Sequence, residues 1–221
     1  MSRVAMWVWA AGLVPVAGAV LAAGEDPAKT FTFGKADLGK TPAGWKAAQT
    51  GKGTSVWKVV EDKSAPSRSG FALAQTTDDR DATFNLCVAE DTSFKDVEVS
   101  VAFKANKGEK DQGGGVVWRY ADANNYYVAR VNPLEDNFRV YKVAGGKRSP
   151  ELQDAEVKVP AGEWHTLKVG MVGDHIQCFL DDKKYLDVKD GTFAGPGKVG
   201  LWTKAEARTS FDRFEVRNLC K

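Results

Sequence analysis

The sequence has few of the residues that most often carry metal or nucleophilic chemistry. Its 221 residues include two histidines and three cysteines, Cys87, Cys178 and Cys220, and the cysteine spacings match no zinc site. The Gly-x-Ser-x-Gly motif of serine hydrolases does not occur. No strand-like stretch has the Glu-x-Asp-x-x-Glu spacing that would set glycosidase carboxylates on one face. These absences argue against each of those three mechanisms.

An excess of one charge is also missing. The chain has 31 basic and 29 acidic residues, which gives no electrostatic reason to expect a nucleic-acid partner. No convincing amphipathic helical period is visible, and the 22 glycines mostly separate short apolar runs. That combination is typical of an all-β chain with many turns.

The one long apolar run lies at the N-terminus. Arg3 precedes an almost wholly apolar stretch, 4–21, that ends in small residues. This pattern predicts a signal peptide at 1–22, and so a secreted or periplasmic protein with no membrane span after signal removal. The alternative is an uncleaved membrane anchor, because the run approaches the roughly 20 residues that span a bilayer. A short linker at 23–29 is predicted to lead to a single domain at 30–221.

The three cysteines leave the disulfide question open. Export permits a disulfide, but an odd count leaves at least one thiol unpaired within the chain. Cys178 alternates with Ile176 and Leu180, which predicts a buried thiol. Cys87 and Cys220 could pair if the last strand lies near the first ones.

Period-two alternation dominates the rest of the chain. Val97, Val99, Val101 and Phe103 share one side of a predicted strand, since successive side chains of a strand point to opposite faces. Residues 115–132 are predicted to form a hairpin, and residues 37–53 a loop anchored by Trp45. About a dozen such strands at regular spacing predict an all-β fold, an antiparallel two-sheet sandwich of the jelly-roll type.

Three segments carry a family resemblance. They are the hairpin Gly-Val-Val-Trp-Arg-Tyr at 115–120 with its return strand to 131, the run Gly-Glu-Trp-His-Thr-Leu-Lys-Val at 162–169 continuing to 183, and the ending Gly-Lys-Val-Gly-Leu-Trp at 197–202 with Ser-Phe-Asp-Arg-Phe-Glu-Val at 210–216. Together they resemble the concanavalin A-like lectin/glucanase superfamily, and within it laminin-G-like domains and the bacterial 3-keto-disaccharide hydrolase domain family. The resemblance covers most of residues 30–219, and it implies a jelly roll whose concave sheet is the sugar-binding face. The family usually has an acidic pair in its last strand, but Arg213 replaces the second acid here.

Polar and aromatic side chains opposite the predicted core form a candidate ligand face. Alternation places arginines, tyrosines and an asparagine on one side of three consecutive strands, and the last strands can add further members. Aromatic faces stack on sugar rings, and guanidinium groups give several directed hydrogen bonds. The predicted ligand-binding residues are Arg119, Tyr126, Arg130, Asn132, Arg139, Tyr141, Trp202, Lys204 and Arg208. The alternative is a solvated face whose long side chains cover the sheet.

Other chemistry-bearing residues favour structural interpretations. His165 and His175 could each act as a base, but both fit partly exposed structural positions. Structural calcium is the one cofactor considered, because the acidic turns 78–81 and 181–182 offer oxygens. Four tryptophans are predicted to lie in the core: Trp45, Trp57, Trp118 and Trp164.

Three functions remain open from the sequence. The leading hypothesis is an exported domain that binds a carbohydrate or cell-envelope glycan, anionic or rich in hydroxyls, on its concave sheet without catalysis. The resemblance implies the alternative, a sugar-cleaving hydrolase or lyase acting on (3-keto-)disaccharides. The third is a structural envelope protein that binds other proteins. The catalytic residues, the ligand and the oligomeric state are not indicated.

Overall fold

Two antiparallel sheets packed face to face make up the part of the chain that the computed structural model describes, residues 28–79 and 83–220. This architecture confirms the predicted all-β sandwich. The predicted signal peptide, most of the linker, and Arg80 and Asp81 of the predicted calcium loop lie outside the described residues. Within those residues the one helix is a short 3-10 turn, Lys35–Asp37, and no helix has the length and apolarity needed to cross a membrane.

Sixteen strands are present in the described residues. In chain order they are β1 (Lys29–Phe31), β2 (Trp45–Thr50), β3 (Trp57–Glu61), β4 (Phe71–Gln75), β5 (Phe84–Phe94), β6 (Val97–Lys107), β7 (Gly114–Asp122), β8 (Asn125–Asn132), β9 (Asn137–Ala144), β10 (Lys147–Arg148), β11 (Gln153–Glu156), β12 (Trp164–Val172), β13 (His175–Leu180), β14 (Lys183–Lys189), β15 (Gly197–Lys204) and β16 (Arg208–Asn218). The first sheet has the order β14-β13-β12-β6-β16-β4-β3, and β1 also pairs with β16. The second has the order β10-β9-β8-β7-β15-β5-β2, and β11 also pairs with β9.

The main core lies between the sheets and follows the predicted alternation. Four residues of β6 are fully buried there: Val97, Val99, Val101 and Phe103. Trp57 and Trp118 are at most 2% exposed. Trp164 departs from the prediction, because it starts β12 on the outer side of the first sheet, where it is only partly buried and Lys104 lies over its ring. The predicted loop at 37–53 is partly wrong, since β2 runs through it and pairs with β5.

The three cysteines are all free in this structure. Cys87 and Cys178 are buried in the main core, whereas Cys220 is exposed. Burial strongly raises the pKa of both buried thiols, so neither forms a reactive thiolate readily. The pairing of Cys87 with Cys220 that the sequence left open is therefore not formed here.

The second sheet curls so strongly that its edge strand β2 reaches back to β8. Thr50 on the edge strand β2 lies 2.8 Å from the Tyr126 hydroxyl on β8, four strands away, although four strand spacings in a flat sheet span about 19 Å. Only glycine fits at position 115 of β7, because a Cβ there would lie 1.8 Å from the Ala129 carbonyl oxygen of the adjacent strand β8. The curling makes the outer side of this sheet a concave face.

Curling turns most of that concave face into a second apolar core. We call this cluster the concave core; its buried members are Leu86, Val88, Val117, Tyr126, Val128, Tyr141, Val143 and Trp202. In an ordinary sandwich each sheet has one buried side and one side that faces solvent. In the second sheet both sides are largely buried, so alternate residues of a strand enter either the main core or the concave core.

Candidate functional site

Charged side chains gather at one end of the concave face. They come from the ends of β8, β9 and β15, from the short strands β10 and β11, and from the loops between strands. We call this group the charged end; it consists of Asp111, Arg130, Glu135, Arg139, Arg148, Asp154 and Lys204. Three of the seven, Arg130, Arg139 and Lys204, were predicted from the sequence.

Glu135 is the hub of the charged end. Its Oε2 accepts hydrogen bonds from Arg130 Nη2 at 2.8 Å, from Asn137 Nδ2 at 3.0 Å and from Arg139 Nη1 at 3.2 Å. Partial burial would raise the pKa of Glu135, but the hydrogen bonds from Arg130 and Asn137 outweigh burial and lower that pKa to about 2. Glu135 is therefore a carboxylate at neutral pH that pairs with two guanidinium groups.

Arg139 extends the network to a second carboxylate. Its Nη2 donates to Asp154 Oδ2 at 3.1 Å, and this bond raises the pKa of the guanidinium above its ordinary value. The side chains of Glu135 and Asp154 are each 39% exposed, so both carboxylates keep lone pairs that face solvent. This part of the charged end can both donate and accept hydrogen bonds.

Two arginine side chains lie close to the ring of Tyr141. The guanidinium carbon of Arg148 lies 4.5 Å from the ring centre, and that of Arg130 lies 5.9 Å from it. Arg148 also lies 5.4 Å from the centre of the Phe84 ring, across the concave face on β5. Two guanidinium groups therefore lie near one aromatic ring at the charged end, within the range of cation–π attraction.

Lys204 and Asp111 form the buried side of the charged end. The Lys204 Nζ donates to Asp111 Oδ2 at 2.5 Å, and the Asp111 side chain is only 7% exposed. Burial raises the pKa of Asp111 although the Lys204 charge opposes this, and Arg130 and Glu135 are near enough to act on the same pKa. Asp111 thus differs in protonation behaviour from Glu135, whose pKa is lowered.

The aromatic residues predicted to stack on sugars are placed on the concave face but are covered. Tyr126, Tyr141 and Trp202 are at most 2% exposed because the sheet curls over them. Burial also strongly raises the pKa of the Tyr126 hydroxyl. Of the aromatics at the charged end, Phe84 is only partly buried, so ligand contacts there depend mainly on charged and polar groups.

The structure separates Arg119 from the other predicted residues, so its predicted place on the concave face is wrong. A bulge after Trp118 interrupts the alternation of β7, and Arg119 has a φ of 45°. Its guanidinium donates to the carbonyl oxygens of Lys95 at 2.9 Å, Phe193 at 2.6 Å and Gly173 at 2.6 Å. Arg119 is 2% exposed and ties three loops together at one end of the sandwich.

Two further predicted residues have other roles. Arg208 belongs to β16 in the first sheet, because the turn after Lys204 crosses between the sheets; it donates to both carboxylate oxygens of Asp78. The predicted place of Arg208 beside Arg130 is therefore wrong. Asn132 does reach the charged end, but its Oδ1 accepts the Leu134 N–H at 3.0 Å and shapes the turn after β8.

Sequence reasoning missed Arg148, yet a signal for it exists. Gly145 and Gly146 both have positive φ, 57° and 76°, and form a two-residue hairpin loop. Such a loop folds the next residues back on the preceding strand, which sets Arg148 opposite Val143. Asp111 and Asp154 gave no comparable signal, because long-range packing of loops brings them to the site.

An open groove lies at the other end of the concave face. It has an empty volume of about 480 Å³ and is lined by Lys46, Glu90, Tyr120, Asp122 and Lys198, among others. Lys198 Nζ donates to Glu90 Oε1 at 3.3 Å, and the Tyr120 ring packs on Tyr126 with their centres 6.0 Å apart. The buried rings of the concave core separate this groove from the charged end.

The remaining candidates are engaged in local contacts. His165 Nδ1 on β12 lies 2.8 Å from Asp181 in the turn after β13, and His175 Nε2 lies 2.6 Å from Asp187 on the neighbouring strand β14. Asp79 accepts the N–H groups of Thr54 and Ser55. No group of three metal-ligating side chains occurs among residues 28–79 and 83–220. Structural calcium stays an untested prediction.

The curled second sheet, the first sheet behind it and the jelly-roll order of strands define a concanavalin A-like sandwich. Within that class, the chain belongs to the family of 3-keto-α-glucoside-1,2-lyase-like domains, whose sequence profile matches residues 34–217. No functionally curated protein matches the sequence.

Solved structures share the fold at low identity. The carbohydrate-binding module CBM66 from Bacillus subtilis is 20% identical with a TM-score of 0.65, over 79% of this chain and 96% of that one. A Bacillus subtilis protein of unknown function with a galectin-like fold is 10% identical with a TM-score of 0.53, over 86% of this chain and 98% of that one. At these identities the likeness establishes the fold.

Proposed function

We propose that this domain binds carbohydrate at the charged end of its concave face. The observation that carries the proposal is the network in which Arg130 and Arg139 share Glu135 while Arg139 also holds Asp154. Sugar hydroxyls both donate and accept hydrogen bonds, and this network offers forked donors beside half-exposed acceptors. Membership of a family named for glucoside chemistry, and the likeness to a carbohydrate-binding module, support the same reading.

Hydrogen bonding, rather than ring stacking, is the main contribution expected in this site. Tyr126, Tyr141 and Trp202 are buried and keep the curled sheet closed. Their packing holds the Arg130 and Arg139 strands in register, so the charged groups are positioned before a ligand arrives. Export to the periplasm or the medium, where glycans are abundant, is consistent with the predicted signal peptide.

A glycan array with two matched arginine variants tests this proposal. Arg139→Gln removes a guanidinium that pairs with Glu135 and Asp154, and Arg213→Gln removes one that pairs with Glu215 on the outer side of the first sheet. We expect Arg139→Gln to weaken binding to wild-type hits by about tenfold or more, and Arg213→Gln to leave it unchanged. Equal binding by all three proteins would refute the charged end as the site.

A second candidate function is cleavage of 3-keto-glucosides, which the Asp111–Lys204 pair favours. A 1,2-elimination takes the proton from the carbon next to the ketone and releases the glycosidic oxygen with its electron pair. Asp111 is a carboxyl group whose pKa is raised by burial, which suits a proton acceptor, and Lys204 can donate a proton to the leaving oxygen.

Turnover separates this candidate from binding alone. The substrate is the 3-keto form of an α-glucosyl disaccharide, and NMR would follow the unsaturated sugar product. If the domain is a lyase, Asp111→Asn loses activity by a hundredfold or more, of the order that general-base removal costs, while Glu109→Gln in the same loop keeps it. If wild-type protein binds the disaccharide but forms no product, the lyase function is refuted and the binding function remains.

A further inference from the structure

One guanidinium at the charged end has no counter-ion. Arg130 and Arg139 pair with Glu135 and Asp154, and Lys204 pairs with Asp111. The Arg148 guanidinium stacks on the Tyr141 and Phe84 rings, and no carboxylate of the described residues lies within ion-pair distance of it. The described part of the charged end therefore carries a surplus positive charge, and that charge is located on Arg148.

Stacking leaves part of the hydrogen-bonding capacity of Arg148 unused. A guanidinium carries its five N–H donors in its own plane, so a ring packed against its face accepts none of them. The Nη1 of Arg148 is buried and has no hydrogen-bond partner. A buried donor without an acceptor costs about 1–3 kcal/mol, and the cost is greater for a charged group. An anion that reached this nitrogen would remove that cost.

A neighbouring positive charge makes the surroundings of Arg148 at the charged end favourable for an anion. The Arg130 guanidinium lies 5.9 Å from the centre of the same Tyr141 ring, so a second positive charge is close to Arg148. The contact of Arg148 with Phe84, at 5.4 Å, is longer than its contact with Tyr141, at 4.5 Å. Because Nη1 is buried, an anion reaches it only if the Arg148 side chain moves, and the longer contact with Phe84 is the weaker of the two.

We infer that the sugar bound at the charged end is acidic, and that Arg148 pairs with its anionic group, a carboxylate or a sulfate. The inference rests on the proposed carbohydrate-binding function and narrows its ligand class. Guanidinium groups bind carboxylate and sulfate oxygens through two parallel N–H bonds, and such bonds are stronger than those between neutral groups. A neutral sugar would leave the Arg148 charge without a partner.

Paired neutral and anionic polysaccharides test this inference by isothermal titration calorimetry. The pairs are polygalacturonate against its carboxyl-reduced form, and dextran sulfate against dextran. We expect wild-type protein to prefer at least one anionic member by about tenfold, and Arg148→Gln to reduce that preference to less than about threefold. Preference within one pair only identifies the carboxylate or the sulfate as the anion.

A matched variant and two failure patterns complete the experiment. Arg213→Gln removes an exposed positive charge from the first sheet and should keep the full preference; equal losses in both variants would mean non-specific charge attraction and overturn the inference. Equal binding of neutral and anionic forms would also overturn it, while the proposed function stands.

Failure to bind any sugar, here and on the glycan array, would instead count against the proposed function. Thermal unfolding followed by circular dichroism checks that Arg148→Gln is folded.

Discussion

The outer sides of the two sheets follow the same alternation but have opposite environments. On the first sheet, the outer side carries solvent-facing pairs such as His175–Asp187, and an open groove of about 570 Å³ lies beside Trp164. On the second sheet, the corresponding side curls onto itself and buries Tyr126, Tyr141 and Trp202. The comparison shows that sheet curvature, which no single strand encodes, decides whether the outward residues of a strand meet water.

The largest expected difference between the two sides concerns stability. Trp202→Ala removes a residue that is 1% exposed in the concave core, and we expect it to lower the free energy of unfolding by about 3–5 kcal/mol. Val172→Ala changes an outward residue of the first sheet that is 54% exposed, and it should cost less than about 0.5 kcal/mol. Urea unfolding measures both, and similar values would mean that the concave core is not packed.

A second prediction compares a buried arginine with an exposed one. Arg119→Ala leaves the carbonyl oxygens of Lys95, Gly173 and Phe193 without their shared donor, and we expect a loss of about 2–3 kcal/mol in the free energy of unfolding. Arg213→Ala on the first sheet should cost less than about 0.5 kcal/mol. Folded Arg119→Ala protein should bind sugar as wild type does. A loss of binding would show that Arg119 belongs to the ligand site after all.

The third prediction is a pH dependence at the charged end. The pKa of Glu135 is about 2 in the folded protein against an ordinary 4.5, so its ionised form stabilises the fold above pH 4.5 and this contribution is lost as the pH falls toward 2. Because the side chain is 39% exposed, screening limits the contribution to about 1 kcal/mol. Glu135→Gln should therefore be less stable than wild type at pH 7 and equal to it near pH 2. A difference that does not change with pH in urea unfolding would contradict the Glu135 network.

The smallest expected effect belongs to the first sheet. His175→Ala removes a pair with Asp187 in which both side chains are more than 40% exposed, and exposed pairs contribute little. We expect a change of less than about 0.5 kcal/mol in the free energy of unfolding at pH 6, and no change in sugar binding. A larger loss would show that the outer side of the first sheet is more ordered than its exposure indicates.

Alternation allowed the strands and the inward residues of both sheets to be predicted. Val97 to Phe103 and the cross-strand pair Arg130 and Arg139 lie as their period-two patterns indicate, because the face that each side chain of a strand occupies depends on local backbone geometry. Arg119 was misplaced because one bulge shifts the pattern, and Arg208 because a turn changes sheets. The burial of Tyr126 could not be predicted, since it depends on contact between β2 and β8, 76 residues apart in sequence.

The most direct measurement of the central claim is an NMR titration of the protein with an acidic oligosaccharide. The account predicts shifts in the side-chain Nε–H signals of Arg130, Arg139 and Arg148 and in the Tyr141 ring, with the indole N–H of Trp164 unmoved. Shifts confined to Trp164 and its neighbours in the first sheet, with the three arginine signals constant, would contradict it.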